Sequence, residues 1–140
     1  MALVFVDFPL SNHGFPALIS AEAAHCAEDQ GAGRYWEMHD AIFASFDALT
    51  EMISAEEVPV RDKLVEIGQG AGFDAATLRE CLETQKYRPI VGAVFRDAAD
   101  SGVNVTPTLL VGQEPVQGFV PFAELEPVIQ RELERVQAAP

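Results

Sequence analysis

The amino-acid sequence predicts an α/β fold in which a block of helices separates one strand from a terminal β-hairpin and a closing helix. Residues 3–8 (LVFVDF) are a dense β-branched and aromatic run, typical of a strand that is covered on both faces. The next strand signal is TLLV at residues 108–111, followed by a turn at 112–115 and a short return strand that begins at 116–117. Residues 121–136 carry apolar side chains at helical spacing and predict the closing helix.

Five segments of the central block carry helix signals, and they lie at residues 17–30, 34–46, 60–69, 74–84 and 87–101. Asp74 is a favourable N-cap for the fourth segment, and Pro89 falls in the first turn of the fifth, where proline is tolerated. Residues 49–58 favour no single element. In the second segment a core-facing stripe is predicted from four residues at helical spacing, Tyr35, Met38, Ile42 and Phe46.

Length and charge restrict the class of protein. The chain has 140 residues, enough for one domain with a hydrophobic core, and its formal net charge is −13. Nucleic acids and anionic membranes are therefore not expected as partners, because both bind basic surfaces. No apolar run approaches the ~20 residues of a membrane span. The chain opens without a signal-peptide pattern, so a cytoplasmic location is expected as written, or an extracytoplasmic one if an upstream segment exists.

The cysteines and histidines form no recognisable catalytic or metal motif. Cys26 and Cys81 make no C-x-x-C and have no zinc spacing, so three interpretations stay open: two buried free thiols, a structural disulfide, or a nucleophile. The histidines are too scattered for a metal triad, and they are His13, His25 and His39. We expect no metal and no cofactor.

Four stretches carry a family pattern, and in chain order they are VFVDFPLSNHGFPA, AEAAHCAEDQGAGRYWEMHDAIFA, LRECLETQKY with GVNVTPTLLVG, and VQGFVPFAELEPVIQ. Together they resemble the DsbA-like thioredoxin-fold proteins over the whole chain, and W-E-M-H-D and V-T-P-T are the most specific segments. The resemblance implies an incomplete thioredoxin-like fold with an inserted helical domain. Residues 1–140 would form one DsbA-like domain, with the helical insertion at 11–101 and a thioredoxin-like core remnant at 1–10 and 102–140.

The chain departs from the family where the chemistry lies. Members carry a C-x-x-C at a helix N-terminus, whose thiolate attacks a substrate disulfide. Neither cysteine of this chain matches those positions, so no catalytic residue is assigned. We expect a thiol–disulfide oxidoreductase homologue that is catalytically incomplete as written. The alternatives are an active oxidoreductase whose C-x-x-C lies upstream of Met1, or a truncated remnant with no enzymatic function.

Pro107 opens the strand at 108–111, and from the residues alone an ordinary trans proline at a strand start is the favoured interpretation. The resemblance implies instead that the Thr106–Pro107 bond is cis and that Thr106 offers free backbone groups to an extended peptide. Val105, Thr106 and Pro107 are therefore the expected substrate-binding residues.

The resemblance also implies a disulfide between Cys26 and Cys81 inside the helical domain, because several members pair these two segments. Closing that loop would contribute roughly 4 kcal/mol and would persist only in an oxidising compartment. Two buried free thiols remain the alternative.

The expected partners are an unfolded peptide or a partner protein. In the family, a central strand lies between the two strands that residues 3–8 and 108–111 resemble. This chain lacks that central strand, so two strand edges would be unpaired, and unpaired edges promote association with another chain. The two strands could close on each other, two chains could pair as a homodimer, or an upstream segment could fill the gap. We expect a self-associating chain.

Overall fold

The computed structural model describes residues 2–138. After a short 3-10 helix at Ser11–His13, the helices and strands in chain order are α1 Gly14–Glu28, α2 Arg34–Ala44, α3 Phe46–Thr50, α4 Glu57–Gly70, α5 Ala75–Glu83, α6 Arg88–Asp100, β1 Thr108–Val111, β2 Glu114–Gln117 and α7 Phe122–Ala138. The chain forms two compact units, Met1–Ala98 and Ala99–Pro140. Within the described residues the fold is mostly helical, with one two-stranded sheet.

Helix α1 is the centre of the first unit, and it packs against α2, α4 and α5. Its many alanines make this possible, because Ala23 and Ala27 are fully buried and let neighbouring helices approach closely. The core around α1 is built from large apolar side chains of four helices, chiefly Ile19, Met38, Leu64, Leu78 and Leu82. The helical block therefore has a hydrophobic core of its own.

The helix predictions for the central block are confirmed, with shifted ends. Helix α1 begins at Gly14, three residues before the predicted start, and the ambiguous residues 49–58 contain the end of the short α3 and the start of α4. Asp74 caps α5 as predicted, since its Oδ1 accepts a hydrogen bond from the backbone N–H of Thr77 at 2.7 Å. Such a cap satisfies an N–H group that has no partner inside the helix.

The predicted core stripe of α2 is correct for Met38 and wrong for Phe46. Met38 is fully buried, whereas most of the Phe46 side chain is exposed. The reason is that α2 ends at Ala44, where the Ser45 hydroxyl donates to the carbonyl of Ala41, and Phe46 belongs to the next helix, α3.

The strand predicted at residues 3–8 is wrong, because the structure has no strand within residues 2–10. A strand exists only when a neighbour completes its hydrogen bonds, and β1 and β2 pair with each other alone within residues 2–138. The segment is attached to the helices by side chains instead. Phe5 packs against aromatic rings of α2, and the carboxylate of Asp7 lies 2.9 Å from Nε2 of His25 on α1.

The second unit consists of a hairpin and α7. Strand β1 pairs antiparallel with β2, with Thr108 opposite Gln117 and Val111 opposite Glu114. The return strand begins at Glu114, two residues before the predicted start. Two hydrogen bonds of 2.9 and 3.1 Å from Arg131 on α7 to the Glu114 carboxylate join the helix to the hairpin. Among residues 2–138, no helix combines the length and apolarity that a membrane crossing requires.

Candidate functional site

The predicted binding residues Val105, Thr106 and Pro107 form the loop that leads into β1. The Thr106–Pro107 peptide bond is cis. The carbonyl of Pro107 accepts a hydrogen bond from the N–H of Gly118 at 2.7 Å, and the Thr108 hydroxyl donates to the carbonyl of Val105 at 2.6 Å. Both sides of the loop are thus held against the hairpin.

Thr106 differs from its neighbours because its backbone is free. Within the described part of the chain, its N–H and C=O form no hydrogen bond, while the carbonyls of Val105 and Pro107 are both occupied. Thr106 and Pro107 are exposed, and Val105 is half-buried. A free donor and acceptor on a fixed, exposed loop can pair with the backbone of an extended peptide.

Strand β1 continues this open backbone. One edge pairs with β2, and no strand within residues 2–138 pairs with the other edge. Leu110 is 70% exposed, and Leu109 is exposed as well. Exposed apolar side chains on an unpaired edge are a template for another strand.

A shallow cavity of about 270 Å³ lies beside β1 in the second unit. Side chains from opposite positions of the hairpin line it, since Thr108 faces Gln117 and Leu110 faces Pro115. Its remaining lining comes from Gln113 and residues 101–103. The volume suits one apolar side chain and is too small for a drug-sized ligand, for which ~300–1,000 Å³ is usual.

The two cysteines form one disulfide, as the resemblance implies. Cys26 of α1 and Cys81 of α5 are bonded with their Cα atoms 5.9 Å apart, and no free cysteine remains among the described residues. Both residues are buried in the core of the helical unit. Thiol–disulfide exchange needs a thiolate and a disulfide sulfur that it can reach, and both sulfurs here are bonded to each other and buried.

A polar cluster that sequence reasoning missed lies just after the C-terminal ends of α1 and α5, the two helices that carry the disulfide. The Asp29 carboxylate accepts hydrogen bonds of 2.7 Å from Nζ of Lys86 and from the hydroxyl of Tyr87. The hydrogen bond from Lys86 is the main reason why the pKa of Asp29 lies below its usual range. No local signal could have identified these contacts, since the partners are 57 and 58 residues apart.

A second missed cluster joins α1, α4 and α6 through side-chain hydrogen bonds. Glu22 is 1% exposed, and its Oε1 accepts a hydrogen bond of 2.6 Å from Nε of Arg88. Arg88 also donates to Glu57 at 2.7 Å. Burial raises the pKa of Glu22 against the opposing effect of Arg88, and the hydrogen bonds from Arg88 chiefly lower the pKa of Glu57.

Two of the three histidines contact acidic side chains in the described structure. His25 contacts Asp7, and Nδ1 of His39 lies 3.0 Å from the carboxylate of Asp40. Tyr35 packs against His25, and burial together with the nearby Asp7 raises the pKa of its phenol. Within residues 2–138 no group of three or more His, Cys, Asp or Glu side chains has an arrangement that could hold a metal ion.

Comparison with known proteins identifies the family. The family model described as Thioredoxin matches residues 1–131. No curated protein and no solved structure matches the sequence. The matched region includes the helical unit, the Thr106–Pro107 loop, the hairpin and most of α7. The chain therefore belongs to the thioredoxin family.

Proposed function

We propose that this chain is a DsbA-like member of the thioredoxin family, catalytically incomplete over its 140 residues, that binds extended peptides at the Val105–Thr106–Pro107 loop. The observation that carries the proposal is the free, exposed backbone of Thr106 beside the unpaired edge of β1. An extended peptide would pair with these groups by β-augmentation, in which main-chain hydrogen bonds supply most of the affinity.

Side-chain selection would come from the cavity beside β1. An apolar side chain of the peptide would enter the space between Leu110 and Pro115, where it would cover the exposed face of Leu110. Its polar lining, Gln113 and Gln117, would remain in contact with water. The peptide class is therefore an extended segment with apolar residues, as in an unfolded protein chain.

The burial of the disulfide argues against disulfide chemistry by these residues, because a substrate thiolate cannot reach either sulfur. Exchange begins when a thiolate attacks a disulfide sulfur, and both cysteines of the chain are already bonded to each other in the core. We therefore expect that the protein does not accelerate insulin reduction by dithiothreitol, measured as the turbidity of the precipitating B chain. Turnover well above the uncatalysed rate that disappears in the Cys26→Ser, Cys81→Ser variant would replace this proposal with an enzymatic one.

The DsbA-like domain plan belongs to the same proposal. Residues 11–101 would be the helical insertion, and residues 1–10 and 102–140 the thioredoxin-like core remnant. Support comes from the independent core around α1 and from the hairpin-and-helix unit at the C-terminal side.

Peptide binding is tested by fluorescence anisotropy with a fluorescein-labelled ten-residue peptide of alternating valine and threonine. Leu110→Lys places a charge in the cavity and on the open edge, so its Kd should rise at least tenfold. The matched control is Gln130→Lys, which adds the same charge at an exposed position of α7 and should leave Kd unchanged. Equal affinity of the two variants, or no binding by the unmodified protein at millimolar concentration, would refute the site.

Self-association of two chains into a homodimer is a second candidate, favoured by the same unpaired edge. Residues 107–113 carry no charge, so two β1 edges could approach without direct charge repulsion despite the net charge of −13. Sedimentation velocity should show a concentration-dependent dimer that Leu110→Lys dissociates. A monomer at every concentration would eliminate this candidate.

A further inference from the structure

The helical unit presents a second exposed apolar surface, which we call the aromatic face and define as residues 3–6, Trp36 and Phe43. Phe5 connects residues 3–6 of this face to α2, because the Phe5 ring lies 6.1 Å from the ring of Trp36 and 4.7 Å from that of His39. The His39 ring is in turn 4.6 Å from Phe43. Leu3 is 77%, Phe43 59% and Trp36 41% exposed. The face is therefore contiguous and only partly covered.

The backbone of this surface is unpaired as well. Within the described chain, the backbone N–H and C=O groups of residues 3–8 form no hydrogen bond. The side chains of residues 3–6 (LVFV) are β-branched, aromatic or aliphatic, which suits them to a pleated ladder. A partner in extended conformation could satisfy these backbone groups and cover the apolar side chains at the same time.

Charge distinguishes the aromatic face from the edge of β1. Asp40 follows Trp36 by four residues and precedes Phe43 by three, so on α2 it lies between the two aromatic side chains. Its side chain is 81% exposed. Its carboxylate lies 3.0 Å from Nδ1 of His39, and residues 2–6 carry no charge. The face is thus apolar with a negative charge near its centre.

We propose that the aromatic face binds an extended segment of a partner polypeptide in which apolar residues alternate with lysine or arginine. The apolar residues would cover residues 3–6, Trp36 and Phe43, and a cation would meet Asp40. A second copy of this chain is the poorer occupant, because its own exposed apolar segment carries no cation and the whole chain is at −13. This proposal is independent of the peptide site at Thr106.

The test uses Trp36, which is the single tryptophan of the chain and lies within the surface. The full chain is titrated with a synthetic nonapeptide of alternating lysine and valine, and with one in which glutamate replaces lysine. The lysine peptide should shift the Trp36 emission with saturation, and its Kd should rise about tenfold in Asp40→Lys. Glu80→Lys carries the same charge change at an exposed position of α5 and should bind like the unmodified protein.

Three results would overturn the proposal. They are equal affinity for the lysine and glutamate peptides, an unchanged Trp36 emission at millimolar lysine peptide, and equal affinity of the Asp40→Lys and Glu80→Lys variants. Sedimentation velocity of the protein without peptide tests whether a second copy of the chain covers the aromatic face instead. A dimer that dissociates in the Val4→Lys variant would show that the aromatic face binds a second copy of the chain. That result would also overturn the proposal of a basic partner polypeptide.

Discussion

Opening the Cys26–Cys81 disulfide should lower the free energy of unfolding by about 4 kcal/mol. The two cysteines are 55 residues apart in the sequence. In the chain-entropy model, a cross-link over a loop of this length removes roughly 14 cal/mol/K from the unfolded ensemble, or about 4 kcal/mol at 25 °C. That is a large fraction of the ~5–15 kcal/mol by which a domain is usually stable.

The comparison that isolates this quantity is between the oxidised protein and the same protein reduced and kept in dithiothreitol. The folded contacts of α1 and α5 are nearly the same in both states, because Cys26 and Cys81 remain packed in the core. The difference should therefore arise mainly in the unfolded chain, which becomes more expanded when the cross-link is absent. The Cys26→Ala, Cys81→Ala variant should show a similar loss, increased by the small cavity that the missing sulfurs leave.

Urea unfolding followed by far-ultraviolet circular dichroism gives both the free energy of unfolding and the m-value. The midpoint should fall on reduction, and the m-value should rise because more surface becomes exposed on unfolding. A loss of less than about 1 kcal/mol with an unchanged m-value would refute the reasoning, since it would mean that residual structure already constrains the reduced unfolded chain.

Two further predictions concern the helical core. Arg88→Met leaves the buried Glu22 without its cation and should cost about 3 kcal/mol at pH 8. Burial raises the pKa of Glu22 and Arg88 opposes this effect, so in the variant the buried carboxyl takes up a proton more readily as the pH falls. The loss should therefore shrink toward the usual carboxyl pKa, and an equal loss at pH 5 and pH 8 in urea unfolding would contradict this. Gly68→Ala should destabilise by about 1–3 kcal/mol because its new Cβ would collide with the buried Leu78, whereas Gly70→Ala in the same helix meets nothing within 4 Å and should not reduce the unfolding midpoint.

Capping residues and short apolar runs predicted the elements that are stabilised by contacts between residues close together in the sequence. The Asp74 cap depends on an N–H group three residues away, and it was found where the residue pattern placed it. The strand at Thr108–Val111 was likewise predicted, because apolar residues next to glycine form a pattern within ten residues, while the turn after it is two residues shorter than predicted. The Val105–Thr106–Pro107 loop could be recognised only from its resemblance to a family.

The predictions that failed depended on neighbours. Residues 3–8 have every local property of a strand, but a strand needs a partner for its backbone groups, and the described chain provides none. Phe46 continues a helical apolar stripe in the sequence, but the helix ends two residues before it. In both cases the local residue pattern was typical of the predicted element, but contacts outside that pattern decided the observed structure.

By itself, the sequence determined the helical block, the hairpin and the closing helix, because capping, periodicity and turn chemistry act over a few residues. Only the tertiary structure decided that Glu22 meets Arg88, that Asp29 meets Lys86, and that Phe5 rests on α2 rather than in a sheet. These contacts join residues tens of positions apart. They are settled by which helices pack together around α1, and that packing follows the burial of the whole core rather than any local pattern.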